Sequence, residues 1–106
     1  MANIFFDLPS NPSGEVFDDL LIADNVRIER IVSNGQITSE GEWYDQDWDE
    51  WVLVLRGEAE LTFAGGKKVL LLEGDYHHIS KGEKHRVTMT SKPTIWLAVH
   101  VGEKRA

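Results

Sequence analysis

The chain contains no cysteine, which excludes disulfide bonds, thiolate nucleophiles and thiolate metal ligands. It is also poor in positive charge: 11 lysines and arginines stand against 18 acids, for a net charge of −7. The basic residues are scattered, and a phosphate backbone needs a basic face, so nucleic acid is not an expected partner. The nearest basic cluster, the C-terminal Glu-Lys-Arg-Ala, reads as a solvated end. No apolar run approaches the roughly 20 residues that cross a bilayer, so no membrane partner is expected either. The N-terminal MANIFFDLPSNPSGE carries acids and no positive segment, unlike a secretory signal, and a cytoplasmic protein is the default expectation. Proline is scarce, and 2 of the 3 prolines fall in the first 14 residues, where LPSNPSGE is turn and loop material.

What is present is strand and turn. The 106 residues suffice for one domain with a modest core. Residues 1–25 are expected to form an extended arm that packs on the rest of the chain or on a partner, and residues 26–106 the domain proper. Within the arm, Phe17, Leu20 and Leu21 have helical spacing for one turn, closed by Asn25. VRIERIV alternates apolar with charged and predicts a strand, and the Asn34-Gly35 pair after it is a hairpin signal. WVLVLRGEAELTFAGGKKVLLLEGD gives three strands separated by Arg-Gly, by Gly-Gly-Lys-Lys and by Glu-Gly-Asp. YHHIS, HRVTMT and TIWLAVHV follow as three more, and the recurrent turns predict a sandwich or barrel. The 4 tryptophans are many for this length, and some must be buried or cover an interface.

Parity along these strands gathers the polar residues. Tyr44, Gln46 and Glu50 share one parity and can face one cavity. His85 shares a face with Val87 and Met89, and His100 shares one with Trp96 and Ala98. A polar group in an apolar row needs a partner, so Glu50 and His85 are expected to meet across the cavity. The acids Asp45, Asp47 and Asp49 lack the glycine and terminal glutamate of a calcium loop and read as a solvated turn. AGGKK has no strand-to-helix context and reads as a hairpin turn, not a phosphate cradle.

Glu50 is followed by six residues and then Gly57; further on come Gly74, Gly82 and His85. In these positions the chain resembles the cupin superfamily. The first motif of that family is glycine, five residues, His-x-His, three or four residues, Glu, six residues and glycine. The second is glycine, five residues, Pro-x-Gly, two residues, His, three residues and Asn. The chain keeps Glu50 and Gly57 of the first, and Gly74, Gly82 and His85 of the second. The two motif histidines fall on Tyr44 and Gln46 with the shorter gap, or on Trp43 and Asp45 with the longer one. Ser80 replaces the motif proline and Met89 the motif asparagine. The resemblance spans roughly residues 26–101 and is to small single-domain bacterial cupins.

The resemblance implies an all-β double-stranded β-helix, the cupin jelly-roll barrel, with a short N-terminal extension. Two functions stay open. In one, a divalent ion (Zn, Fe, Mn or Ni) sits on Glu50 and His85, assisted by Gln46 and His100, with Tyr44 and His85 moving protons in an oxygenase, isomerase or lyase. In the other, the same polar lining binds a small organic molecule without metal or catalysis, as a binding or sensor module. Free sheet edges and an outward-facing Trp51 predict a homodimer.

Overall fold

A computed structural model describes residues 2–10 and 13–103. Eight strands follow in chain order: β1 (Val16–Ala23), β2 (Val26–Ser33), β3 (Asp49–Arg56), β4 (Ala59–Phe63), β5 (Lys68–Leu71), β6 (Tyr76–Ile79), β7 (His85–Thr90) and β8 (Thr94–Val101). They pair antiparallel in two sheets, ordered β1-β2-β8-β3-β6 and β5-β4-β7. This is the double-stranded β-helix that the motif glycines imply. Among the described residues no helix is long and apolar enough to cross a membrane.

The core lies between the sheets and is built by alternation. On β8, Trp96, Ala98 and His100 point inward and are almost fully buried, while Leu97 and Val99 on the opposite face are half-buried. Val52 and Val54 of β3, Leu61 and Phe63 of β4 and Ile79 of β6 complete the apolar layer. Each such fully buried aliphatic side chain contributes about 1.5–3 kcal/mol of transfer free energy, so a one-residue slip of any strand is strongly opposed.

Two local expectations fail. Phe17, Leu20 and Leu21 lie on strand β1, not on a helical turn, and β1 pairs with β2 along its length. The reason is the two-residue connection Asp24-Asn25: Asn25 adopts a left-handed φ of 65°, which turns the chain straight back as a hairpin. A bulge between Asp19 and Leu21 disturbs the strand alternation and produces the spurious helical spacing. The Asn34-Gly35 pair, conversely, makes no hairpin. After β2 the chain leaves the sheet, with the Gly35 amide donating to Ser91 O at 3.2 Å, and residues 34–48 cross to the smaller sheet. There the Thr38 amide donates to Val87 O at 2.9 Å, and Tyr44 and His85 exchange backbone hydrogen bonds of 2.8 and 3.1 Å. This long connection thus runs beside β7, where it closes the mouth of the barrel.

The N-terminal segment is held by cations of the larger sheet. Arg30 donates to the carbonyls of Ile4 and Phe6 at 3.0 and 2.8 Å, and the Arg56 guanidinium lies 4.3 Å from the Phe5 ring centre.

Candidate functional site

A cavity of about 690 Å³ opens between the two sheets. Its apolar floor comes from Ile31, Val52, Leu61, Ile79, Val87 and Trp96, which are the inward positions of six different strands. Its polar rim has three sources, one of them Glu15 just ahead of β1. The connection before β3 brings Trp43, Tyr44, Asp45, Gln46, Asp47 and Trp48. The outer ends of the strands bring Arg27 and Glu29 from β2, Glu50 from β3, His85 from β7 and His100 from β8.

All the residues singled out by parity (Tyr44, Gln46, Glu50, His85 and His100) therefore line one cavity. Their pairing differs from the expectation. Among the described residues no hydrogen bond joins Glu50 to His85. Instead Gln46 Nε2 donates to Glu50 Oε1 at 2.6 Å, four residues away along the same turn. His85 lies 3.0 Å through Nδ1 from the carbonyl of Glu83; a carbonyl only accepts, so Nδ1 carries the proton and Nε2 of the neutral ring keeps its lone pair. The His85 ring stacks on Tyr44 with centroids 5.5 Å apart. Burial, reinforced by the charges of Glu15 and Glu50, raises the Tyr44 hydroxyl above its ordinary value, so it remains protonated and can donate.

His100 is bonded at both ring nitrogens. Trp48 donates Nε1–H to Nδ1 at 2.9 Å, which makes Nδ1 the acceptor and puts the ring proton on Nε2. Nε2 in turn meets Glu29 Oε1 at 2.9 Å. Arg27 Nη1 approaches the other Glu29 oxygen at 2.8 Å. Burial works to raise the Glu29 carboxyl, but the hydrogen bond from His100 and the Arg27 charge outweigh it and hold the group below its ordinary range.

Glu29 and Trp48 are the site residues that sequence reasoning missed. A signal for Glu29 existed: Arg27, Glu29 and Ile31 share parity, so an inward Ile31 puts two charges on the cavity face. For Trp48, only contact with a residue 52 positions away reveals its role. His78 of β6 lies exposed beside Asp49, with Nε2 3.3 Å from the carboxylate. His77 packs on Phe63 with ring centroids 5.5 Å apart.

The donor set does not fit a resident transition metal. With both nitrogens of His100 bonded and the Gln46 amide nitrogen directed to Glu50, one imidazole nitrogen (His85 Nε2) remains as a strong ligand, and the cavity carboxylates do not converge on it. A tetrahedral or facial-triad site needs at least three. Among the described residues no three His, Asp or Glu side chains converge as a metal cluster.

Two sheets with a polar-rimmed mouth between them define a barrel with an internal cavity. The chain belongs to the cupin family: the cupin-domain family model matches residues 31–100. Among solved structures, a protein of Ralstonia eutropha JMP134 named as a proposed mannose-6-phosphate isomerase is 40% identical, with a TM-score of 0.91 over 97% of this chain and 98% of that one. A cupin superfamily protein of Desulfitobacterium hafniense DCB-2 is 20% identical, with a TM-score of 0.77 over 91% of this chain and 84% of that one. The iron(II) form of HppE is 17% identical, with a TM-score of 0.71 over 89% of this chain and 53% of that one. The likeness to the last two is of fold alone. Comparison with curated proteins finds no match.

Proposed function

We propose that the chain binds a small organic molecule in the cavity between its sheets without a resident divalent ion. The observation that carries this reading is the saturation of His100 by Trp48 and Glu29, which removes the second imidazole that was expected to assist Glu50 and His85 in holding an ion. What remains at the cavity suits an organic ligand: an aromatic and apolar wall with a few convergent polar groups. Glu50 and the His85 Nε2 lone pair accept hydrogen bonds, and the Tyr44 hydroxyl donates one. His85 and Tyr44 are also the two groups able to take up and give a proton, so any chemistry on the ligand falls to them.

Elemental analysis tests the reading. Untagged protein, purified without chelator and without a nickel column, is expected to hold far less than one transition-metal ion per chain. It is expected to stay so after exposure to Mn, Fe, Ni and Zn, and chelator is expected to leave its melting temperature unchanged. About one ion per chain, lost in Glu50→Gln, would sink it.

The proposal extends to a homodimer. Strand β1 is one edge of the larger sheet and carries Phe17, Leu20, Leu21 and Ile22, each about half exposed. An apolar edge of this length is a natural surface for a second copy.

A further inference from the structure

The charge at the cavity selects the ligand, an inference that rests on the binding reading above. Five carboxylates line the space (Glu15, Glu29, Asp45, Asp47 and Glu50) against a single guanidinium, Arg27. Arg27 is committed three times over, to Asp19 at 3.4 Å, Glu29 at 2.8 Å and Glu103 at 3.1 Å. Asp47 pairs with Lys81 at 3.4 Å, and Glu29 is shared by Arg27 and His100. Glu15, Asp45 and Glu50 are left without an ionic partner among the described residues.

Glu50 is central. It is half-buried on β3, and the one hydrogen bond it accepts, from Gln46, goes to Oε1, so Oε2 is free to take another. Glu15 and Glu50 both act on the Tyr44 hydroxyl and favour its neutral form, so negative charge stands beside Tyr44 in the cavity lining. The aromatic residues Trp43, Tyr44 and Trp48 belong to the same rim, and Trp96 lies in the floor. Carboxylates that are desolvated by an entering ligand need a positive partner, and aromatic faces attract ammonium groups. Among the described residues that line the cavity, a phosphate would meet unpaired carboxylates and no free guanidinium or ammonium group.

We propose that the cavity takes an organic cation, an amine or quaternary ammonium compound, with its positive group between Glu50 and the aromatic rim, and that it rejects phosphorylated sugars. The Ralstonia relative's name would imply a phosphorylated substrate; the cavity of this chain is built with the opposite charge preference.

The test is a titration, followed by tryptophan fluorescence and calorimetry, with three probes: choline, its neutral carbon isostere and mannose 6-phosphate. Choline is expected to bind about tenfold or more tightly than the isostere, and the sugar phosphate not at all. Glu50→Gln, checked for folding by circular dichroism, is expected to remove most of that preference. Raised salt should weaken choline and leave the isostere unchanged in the wild-type protein, a comparison that needs no variant. If the isostere or the sugar phosphate binds as tightly as choline and competes with it, the charge inference falls and the binding cavity stands. If choline binds but neither Glu50→Gln nor Trp96→Leu alters it, both readings fall. No response to choline in the tens of millimolar overturns the inference.

Discussion

Trp48 donates its indole N–H to Nδ1 of His100 at 2.9 Å, so one residue of the long connection fixes the tautomer of a buried histidine on the central strand β8. The bond ties the mouth of the cavity to the sheet. Two-bond nitrogen–proton correlation spectra at neutral pH are expected to show His100 protonated at Nε2 and not at Nδ1. Trp48→Phe keeps the apolar bulk but leaves a buried acceptor unsatisfied, and should cost about 1–3 kcal/mol of stability by urea denaturation. A variant as stable as wild type, or a spectrum with Nδ1 protonated, would remove the bond from the account.

Glu29 makes stability sensitive to acid. Its folded carboxyl lies below the ordinary value of 4.5, so the folded state resists a proton that the unfolded chain accepts more readily. The stabilisation is complete above about pH 4.5 and is lost as pH falls through the lower folded value. Glu29→Gln keeps the volume but abolishes the titration and weakens the Arg27 and His100 contacts. It should lower stability at neutral pH by about 1–3 kcal/mol and flatten the acid limb of the stability curve relative to wild type. Parallel acid limbs in the two proteins would show that another group governs the loss.

How much of this was legible in the sequence follows from how local each signal is. Strands β3 to β8 could be placed because turns such as Arg56-Gly57 and Ala64-Gly65-Gly66 bracket short alternating runs. The motif glycines Gly57, Gly74 and Gly82 all adopt positive φ, so their spacing reports backbone geometry directly. Parity then placed Tyr44, Gln46, Glu50, His85 and His100 on one cavity. The partners of those residues were not legible, since Gln46 outcompetes His85 for Glu50 through local turn geometry. Glu29 reaches His100 across 71 residues of chain through sheet pairing. β1 was misread because a bulge hid its alternation.

The proposed homodimer is expected to depend on the β1 edge. Leu21→Lys places a charge among the exposed apolar side chains of that strand and should convert a dimer to a monomer in sedimentation equilibrium. Because Leu21 is about half exposed in the single chain, the monomer should remain folded, within about 1 kcal/mol of wild type once concentration is accounted for. A wild-type monomer at all concentrations, or a dimer untouched by the substitution, would place any association elsewhere.

Gly57 should be far less tolerant than Gly66, although both sit at turns with positive φ of 88° and 99°. A side chain at Gly66 would meet nothing within 4 Å, so Gly66→Ala pays only the left-handed backbone cost, about 1–2 kcal/mol. A Cβ at Gly57 would stand 2.5 Å from the Pro93 carbonyl and 3.2 Å from Thr94 Cα, and would collide with Ser91 Oγ. That hydroxyl is itself committed, accepting from the Glu58 amide at 2.9 Å and donating to Pro93 O at 2.9 Å. The Cβ can be accommodated only by moving backbone at the end of β8, which also carries the buried Thr94. Gly57→Ala is therefore expected to cost at least about 2 kcal/mol more than Gly66→Ala in urea midpoints at equal m-value. Equal losses at the two positions would mean that the family's first-motif glycine serves only the turn and not the approach of the two strands beside it.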